Sequence, residues 1–92
     1  MTNTDMLTSL KTDLGITTTS YDTRLTQLLQ IAAAEIIKEG ASTLNTLSSA
    51  ADANLCIMYA AWMWRRRDSM DGMPRMLRWQ LNNRIFSEKM EG

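Results

Sequence analysis

The residues of this sequence that are best placed to do chemistry are arginines. Six of them fall within twenty residues of one another, and three tryptophans lie just before or among them. Guanidinium groups bind phosphates or carboxylates, and aromatic rings stack beside them, so the pattern is typical of a phosphate-binding face. The six are Arg65, Arg66, Arg67, Arg75, Arg78 and Arg84, and the tryptophans are Trp62, Trp64 and Trp79.

Net charge argues against a dedicated nucleic-acid domain. The whole chain is neutral and its calculated pI is 6.2, whereas such domains are usually strongly basic. The charge is also uneven: residues 1–60 carry three basic and six acidic groups, and residues 61–92 carry seven and four. This polarity suits a subunit whose two ends meet, or one end that meets an anion. We favour intersubunit salt bridges or solvent-exposed roles for the arginines over direct DNA contact, and keep a small helical DNA-binding regulator as the alternative function.

Catalytic residue types are scarce. The chain has no histidine, and its single cysteine, Cys56, lies in an apolar run where it reads as a buried thiol. The nearest carboxylate pair, Glu35 and Glu39, fits an exposed helix end, and the four glycines do not form a phosphate loop. We therefore expect a protein that is not an enzyme, with no catalytic residues, no cofactor and no metal site.

Apolar spacing predicts four helices in one domain, residues 1–92. Two of them end at glycines that fit left-handed caps, Gly15 and Gly40, and the last begins at Pro74. Residues 68–72 read as a turn. Because the apolar pattern fades after Asn83, we expect the segment from Arg84 to Gly92 to be extended or mobile. The predicted fold class is all-α, a small bundle of four helices with an extended C-terminal tail.

The third predicted helix, from Ala50 to Arg67, is the most apolar stretch. No polar face remains between Leu55 and Trp64, so the helix either runs through the centre of the fold or is covered by another copy of the chain. Trp62 and Trp64 are two positions apart and cannot both point inward, so one should face a partner or the fourth helix. The predicted oligomer interface comprises Met58, Trp62, Met63 and Trp64.

No apolar run is long enough to span a bilayer, and the N-terminus lacks the features of a signal peptide. We therefore expect a protein made in the cytoplasm with no membrane partner.

The order of several motifs resembles a known family. The segments LKTDLGI, CIMYAAWMWRRR and MPRMLRWQLNNRIF, with the amphipathic run of residues 22–40, are similar to the head-tail connector proteins of tailed bacteriophages, which are also called DNA packaging or head-completion adaptors. The resemblance covers roughly Leu7 to Lys89, and its most specific parts are Tyr59 to Arg67 and the segment that starts at Pro74.

The resemblance implies a small helical subunit of an oligomeric ring, typically dodecameric, below the portal protein at the neck of the virion. Such rings extend the channel for packaged DNA and provide the surface on which a tail or tail-completion protein docks. Assembly would occur in the bacterial cytoplasm, from a phage or a prophage. By this analogy the C-terminal segment is a candidate portal contact, through Arg84, Ile85 and Phe86. The short turn at residues 68–72 leaves little room for a channel-lining loop, so no gate is assigned.

Overall fold

Four α-helices account for most of the chain in this computed structural model, which describes residues 1–66 and 72–91, without the side chains of the last two. No strand occurs in these residues. The predicted all-α bundle of four helices is confirmed. The helices are α1 (Asn3–Leu14), α2 (Asp22–Glu39), α3 (Ala50–Arg66) and α4 (Arg75–Glu91).

Helix α1 begins and ends with local signals that its sequence encodes. Thr2 and Asp5 form a reciprocal capping box: the Asp5 N–H donates to Thr2 Oγ1 at 3.1 Å, and the Thr2 N–H donates to Asp5 Oδ2 at 3.3 Å. Gly15 ends the helix in the left-handed conformation, with φ 71°. The predicted stop at Gly15 is correct.

Gly40 ends α2 with φ 138°, a backbone conformation that other residues rarely adopt. A Cβ built on Gly40 would lie 3.1 Å from the Ile85 Cγ2 of α4. The glycine therefore permits both the turn and the close approach of α4.

Helix α3 is the centre of the fold, because it contacts each of the other three helices. Leu55, Cys56 and Ile57 are buried, as are Tyr59 and the alanines beside it. The molecule is 17 Å across its shortest dimension, about two packed helices. Of the two arrangements that the sequence left open for α3, the structure shows the central one. Most of the helix is shielded by its own chain.

The predicted extended tail is not what the structure shows, because α4 continues as a helix to Glu91. Leu77 and Leu81 are buried, and Ile85 packs at Gly40, so the apolar pattern continues past the point where it was expected to fade. Arg84 adds an ion pair with Asp52 of α3, at 2.8 Å. These contacts keep the second half of α4 helical. Arg67 and most of the predicted turn at residues 68–72 lie outside the described residues.

None of the helices in the described segments is long and apolar enough to cross a membrane.

Candidate interaction surface

Helix α4 has two apolar faces on opposite sides. The inner face consists of Leu77 and Leu81, at most 2 % exposed, with the half-buried Ile85. The outer face consists of Met76, Trp79 and Phe86, which are 62–63 % exposed. A helix on the surface of a monomer normally has one apolar stripe and one polar side, so the outer face is an unusual feature. We call Met76, Trp79, Asn83 and Phe86 the outer stripe.

The spacing of the outer stripe is that of a helix-packing seam. Its residues stand at i, i+3, i+7 and i+10, which keeps them on one side of a helix over about three turns. Asn83 is the polar member, and its side chain is exposed like the other three. The same spacing is used where an amphipathic helix packs lengthwise against another helix.

The exposed area of the stripe is large for a protein of this size. A large apolar side chain accounts for ~150–250 Å², so three that are more than half exposed leave roughly 300–400 Å² of apolar surface. That is comparable with the largest apolar patch of a typical monomer, which is often functional. It also equals about half of the ~800 Å² that each partner contributes to a standard protein interface.

Positive charge borders the outer stripe. The exposed charged side chains of the described part of α4 are Arg75, Arg78 and Lys89, all basic. Arg78 makes a long ion pair with Glu39 of α2, at 3.7 Å, in which both side chains are partly exposed. Such pairs contribute little to stability. The border therefore presents cations that remain accessible to a partner.

An open groove of about 400 Å³ continues the outer stripe toward α3. Its apolar lining comes from Met58, Ala61 and Trp62 on the α3 side and from Pro74, Met76 and Leu77 at α4, and the charged residues Asp13 and Arg65 also line it. Met76 belongs to both the stripe and the groove. Two of the predicted interface residues, Met58 and Trp62, therefore join the exposed face of α4 in one surface.

The four residues predicted to form an oligomer interface are all half-buried in the monomer. The Trp64 ring packs edge-on against Tyr21, with centroids 5.2 Å apart, and the Trp62 ring packs edge-on against Tyr59 at 5.5 Å. Trp62 Nε1 is buried and has no hydrogen-bond partner in the described part of the chain. Met63, another of the four predicted interface residues, is also half-buried. These side chains are partly exposed in the monomer, but the most exposed apolar surface lies on α4.

The arginines do not act as one group. Arg65 donates from Nη2 to the Asp13 main-chain oxygen at 3.3 Å, and the Arg66 guanidinium lies 4.6 Å from the centroid of the Trp62 ring. Both remain exposed, as do Arg75 and Arg78. Arg84 differs, because it is engaged within the subunit.

Arg84 joins α4 to α3 and to the connection before α3. Its Nε donates to Asp52 Oδ1 at 2.8 Å, and its Nη1 donates to Glu88 Oε2 at 3.2 Å. Asp52, which is 6 % exposed, also accepts the Asn45 N–H at 2.9 Å. The hydrogen bond from Arg84 to Asp52 raises the pKa of the guanidinium. Of the predicted portal contacts, Arg84 and Ile85 are half-buried against residues of the same subunit, and only Phe86 is exposed.

Glu88 completes this network. One of its carboxylate oxygens accepts hydrogen bonds from the Ser42 hydroxyl and the Thr43 N–H. These bonds, led by the one from Ser42, hold the pKa of Glu88 below its ordinary value. Both carboxylate oxygens of Glu88 therefore accept hydrogen bonds from groups of the same chain.

No group of three or more possible metal ligands occurs in the described residues. Cys56 is buried, and burial, with a smaller effect of the Asp52 charge, raises the pKa of its thiol to about 11. At neutral pH it is a protonated, inaccessible thiol.

The outer stripe was not predicted from the sequence. Phe86 was placed in the extended C-terminal segment and not on the fourth helix. The signal was present as the spacing of Met76, Trp79 and Phe86, but it becomes visible only when the helix is continued beyond Asn83. The Asp52 and Arg84 pair was not foreseen either, because the two residues are 32 positions apart.

No protein-family model matches this chain, and neither the curated proteins nor the solved structures contain a match.

Proposed function

We propose that this protein is a structural virion component, a head-tail connector subunit that assembles into a ring below the portal of a tailed bacteriophage. The ring extends the DNA channel and presents a docking surface for a tail or tail-completion protein. The partners of the subunit are further copies of itself, the portal, the tail side, and the DNA that passes through. The dodecameric stoichiometry and the location in the virion neck come from the resemblance in sequence.

The observation that carries this proposal is the second apolar face of α4. The inner face of α4 is buried in the core of the subunit, whereas Met76, Trp79 and Phe86 of the outer stripe remain exposed and add little to that core. An assembly subunit requires such a surface, because it must bind molecules that are not part of its own core. The groove with Met58 and Trp62 adds a second apolar area next to the first.

Closed rings impose a further requirement, which is two different surfaces that fit each other head to tail. The opposite charge of the two parts of the chain, residues 1–60 and 61–92, agrees with such packing. The DNA-binding alternative keeps four exposed arginines, Arg65, Arg66, Arg75 and Arg78, whereas Arg84 is paired with Asp52.

The test is assembly of the full-length chain. We expect oligomers larger than a dimer by size-exclusion chromatography with light scattering across a wide range of concentration, or rings in negatively stained micrographs once the portal protein from the same genome is added. A chain that stays monomeric in both experiments contradicts the proposal. Salt-sensitive binding to short DNA duplexes without any assembly would favour the regulator instead.

A further inference from the structure

We propose that the outer stripe of α4 binds an amphipathic helix of a second protein, one whose apolar stripe is flanked by carboxylates. The inference rests on the proposed function insofar as it assigns this face to the docking partner of the ring. It can also be tested without the ring.

The shape of the outer stripe favours a helix as the partner. Met76, Trp79, Asn83 and Phe86 form a straight seam on a helix of 17 residues, which is about 25 Å long. A seam with this spacing is matched by side chains of another helix at the same spacing, packed at a small crossing angle. Asn83 lies within the seam, and its amide needs a hydrogen-bonding partner once it is covered. A neighbouring helix supplies polar side chains at a chosen position, whereas lipid acyl chains do not.

The positive charge beside the outer stripe favours an acidic partner. Arg75 and Lys89 lie fourteen residues apart on one side of the seam, in the positions that pair with flanking charges of a partner helix, and Arg78 lies further round. The nearby carboxylate of Glu88 is committed to Arg84, Ser42 and Thr43 and does not neutralise the border. Glutamates or aspartates beside the partner's apolar stripe would complement these cations.

The described helices of this chain do not offer that combination. The exposed face of α1 is acidic, with Asp5 and Asp13, but its other exposed side chains are polar. Helix α2 exposes Ile31 and Ile37, but the two lie six residues apart on different sides of the helix, and Arg24 and Lys38 stand seven residues before and after Ile31 on its face. A second α4 would bring the same cations as the first. These three cases point away from another copy of the chain and toward a different protein.

The experiment uses two synthetic helical peptides of about three heptads, a length that allows helix formation. Both have leucine or isoleucine in the seam and one central asparagine; the first has glutamate in the flanking positions and the second has lysine. Binding to the full-length protein is measured by fluorescence anisotropy of labelled peptide. We expect the glutamate peptide to bind and the lysine peptide to bind at least ~10-fold more weakly, because like charges then face each other.

Two double variants assign the binding to the stripe. Trp79→Gln with Phe86→Gln should abolish binding of the glutamate peptide, whereas Ile31→Gln with Ile37→Gln, the matched control on α2, should leave it unchanged. Arg75→Glu with Lys89→Glu should reverse the preference between the peptides. Circular dichroism checks that each variant is folded.

Other occupants of the stripe are distinguishable outcomes. If the Trp79→Gln and Phe86→Gln variant loses self-assembly, the occupant is a second copy and the inference is wrong, while the ring function stands. Equal binding of both peptides, binding of neither, or stripe-dependent binding to anionic vesicles in place of the peptide also overturns it. If the wild-type protein binds the glutamate peptide selectively but never assembles, the inference holds and the ring function fails.

Discussion

At the scale of single residues, the ion pair of Asp52 and Arg84 links the first turn of α3 to the second half of α4. Asp52 is nearly inaccessible, and its carboxylate accepts hydrogen bonds from Arg84 and from the Asn45 N–H. A buried charge is tolerated only while its partners remain in place. Removing one partner therefore costs more than the pair contributes when it is intact.

We predict that Arg84→Met lowers the free energy of unfolding by about 3 kcal/mol, because it leaves the buried Asp52 carboxylate without its counter-charge. The matched control is Arg78→Met on the same helix, whose pair with Glu39 is long and partly exposed, and a change within ~0.5 kcal/mol is expected there. Urea unfolding followed by circular dichroism measures both. Similar losses in the two variants would contradict this account of Arg84.

At the scale of the elements, local signals predicted most of the fold. Gly15 and Gly40 were identified as helix ends, and α1 and α2 end at these two glycines. These signals act over a few residues and are visible in sequence. What the sequence did not reveal depends on distant contacts: Arg84 pairs with Asp52, and Ile85 packs at Gly40. The end of α4 was missed for this reason.

We predict that Gly40→Ala is more damaging than Gly15→Ala. Both glycines have positive φ, but only at Gly40 would a new Cβ meet a side chain, at 3.1 Å from Ile85 Cγ2. The expected loss in free energy of unfolding is about 2 kcal/mol or more for Gly40, from backbone strain and crowding, and ~1 kcal/mol for Gly15, from backbone strain alone. Thermal or urea unfolding of the two variants provides the comparison, and equal losses would show that Ile85 yields without cost.

At the scale of the whole molecule, the excess apolar surface is on a different helix from the one that the sequence indicated. The sequence left open whether α3 is covered by its own chain or by other copies, and α3 is mostly enclosed by α1, α2 and α4. The apolar spacing of the third predicted helix indicated only that this helix needs neighbours on all sides. It could not show which helix would carry the excess, because that depends on how the four helices pack. The predicted interface residues Met58 and Trp62 take part, through the groove that meets α4 at Met76.

Substitutions on the two faces of α4 should change the free energy of unfolding by very different amounts. Leu81→Ala, on the fully buried inner face, should lower the free energy of unfolding by ~2–5 kcal/mol, because it removes buried methyl groups and leaves a cavity. Trp79→Gln, on the outer face, should change it by less than ~0.5 kcal/mol, because the side chain is mostly in solvent already. Urea unfolding at a concentration where the protein is monomeric measures both. A large loss of unfolding free energy for Trp79→Gln would mean that the Trp79 indole supports the fold and is not reserved for a partner.

The network around Arg84 also has a mechanical consequence. Through Asp52 and Glu88, the second half of α4 is tied both to the first turn of α3 and to the connection that contains Ser42 and Thr43. A force that pulls on the outer side of α4 is therefore transmitted to α3 through charged hydrogen bonds as well as through apolar packing. Separating the second half of α4 from α3 would therefore require breaking these charged hydrogen bonds together with the apolar packing.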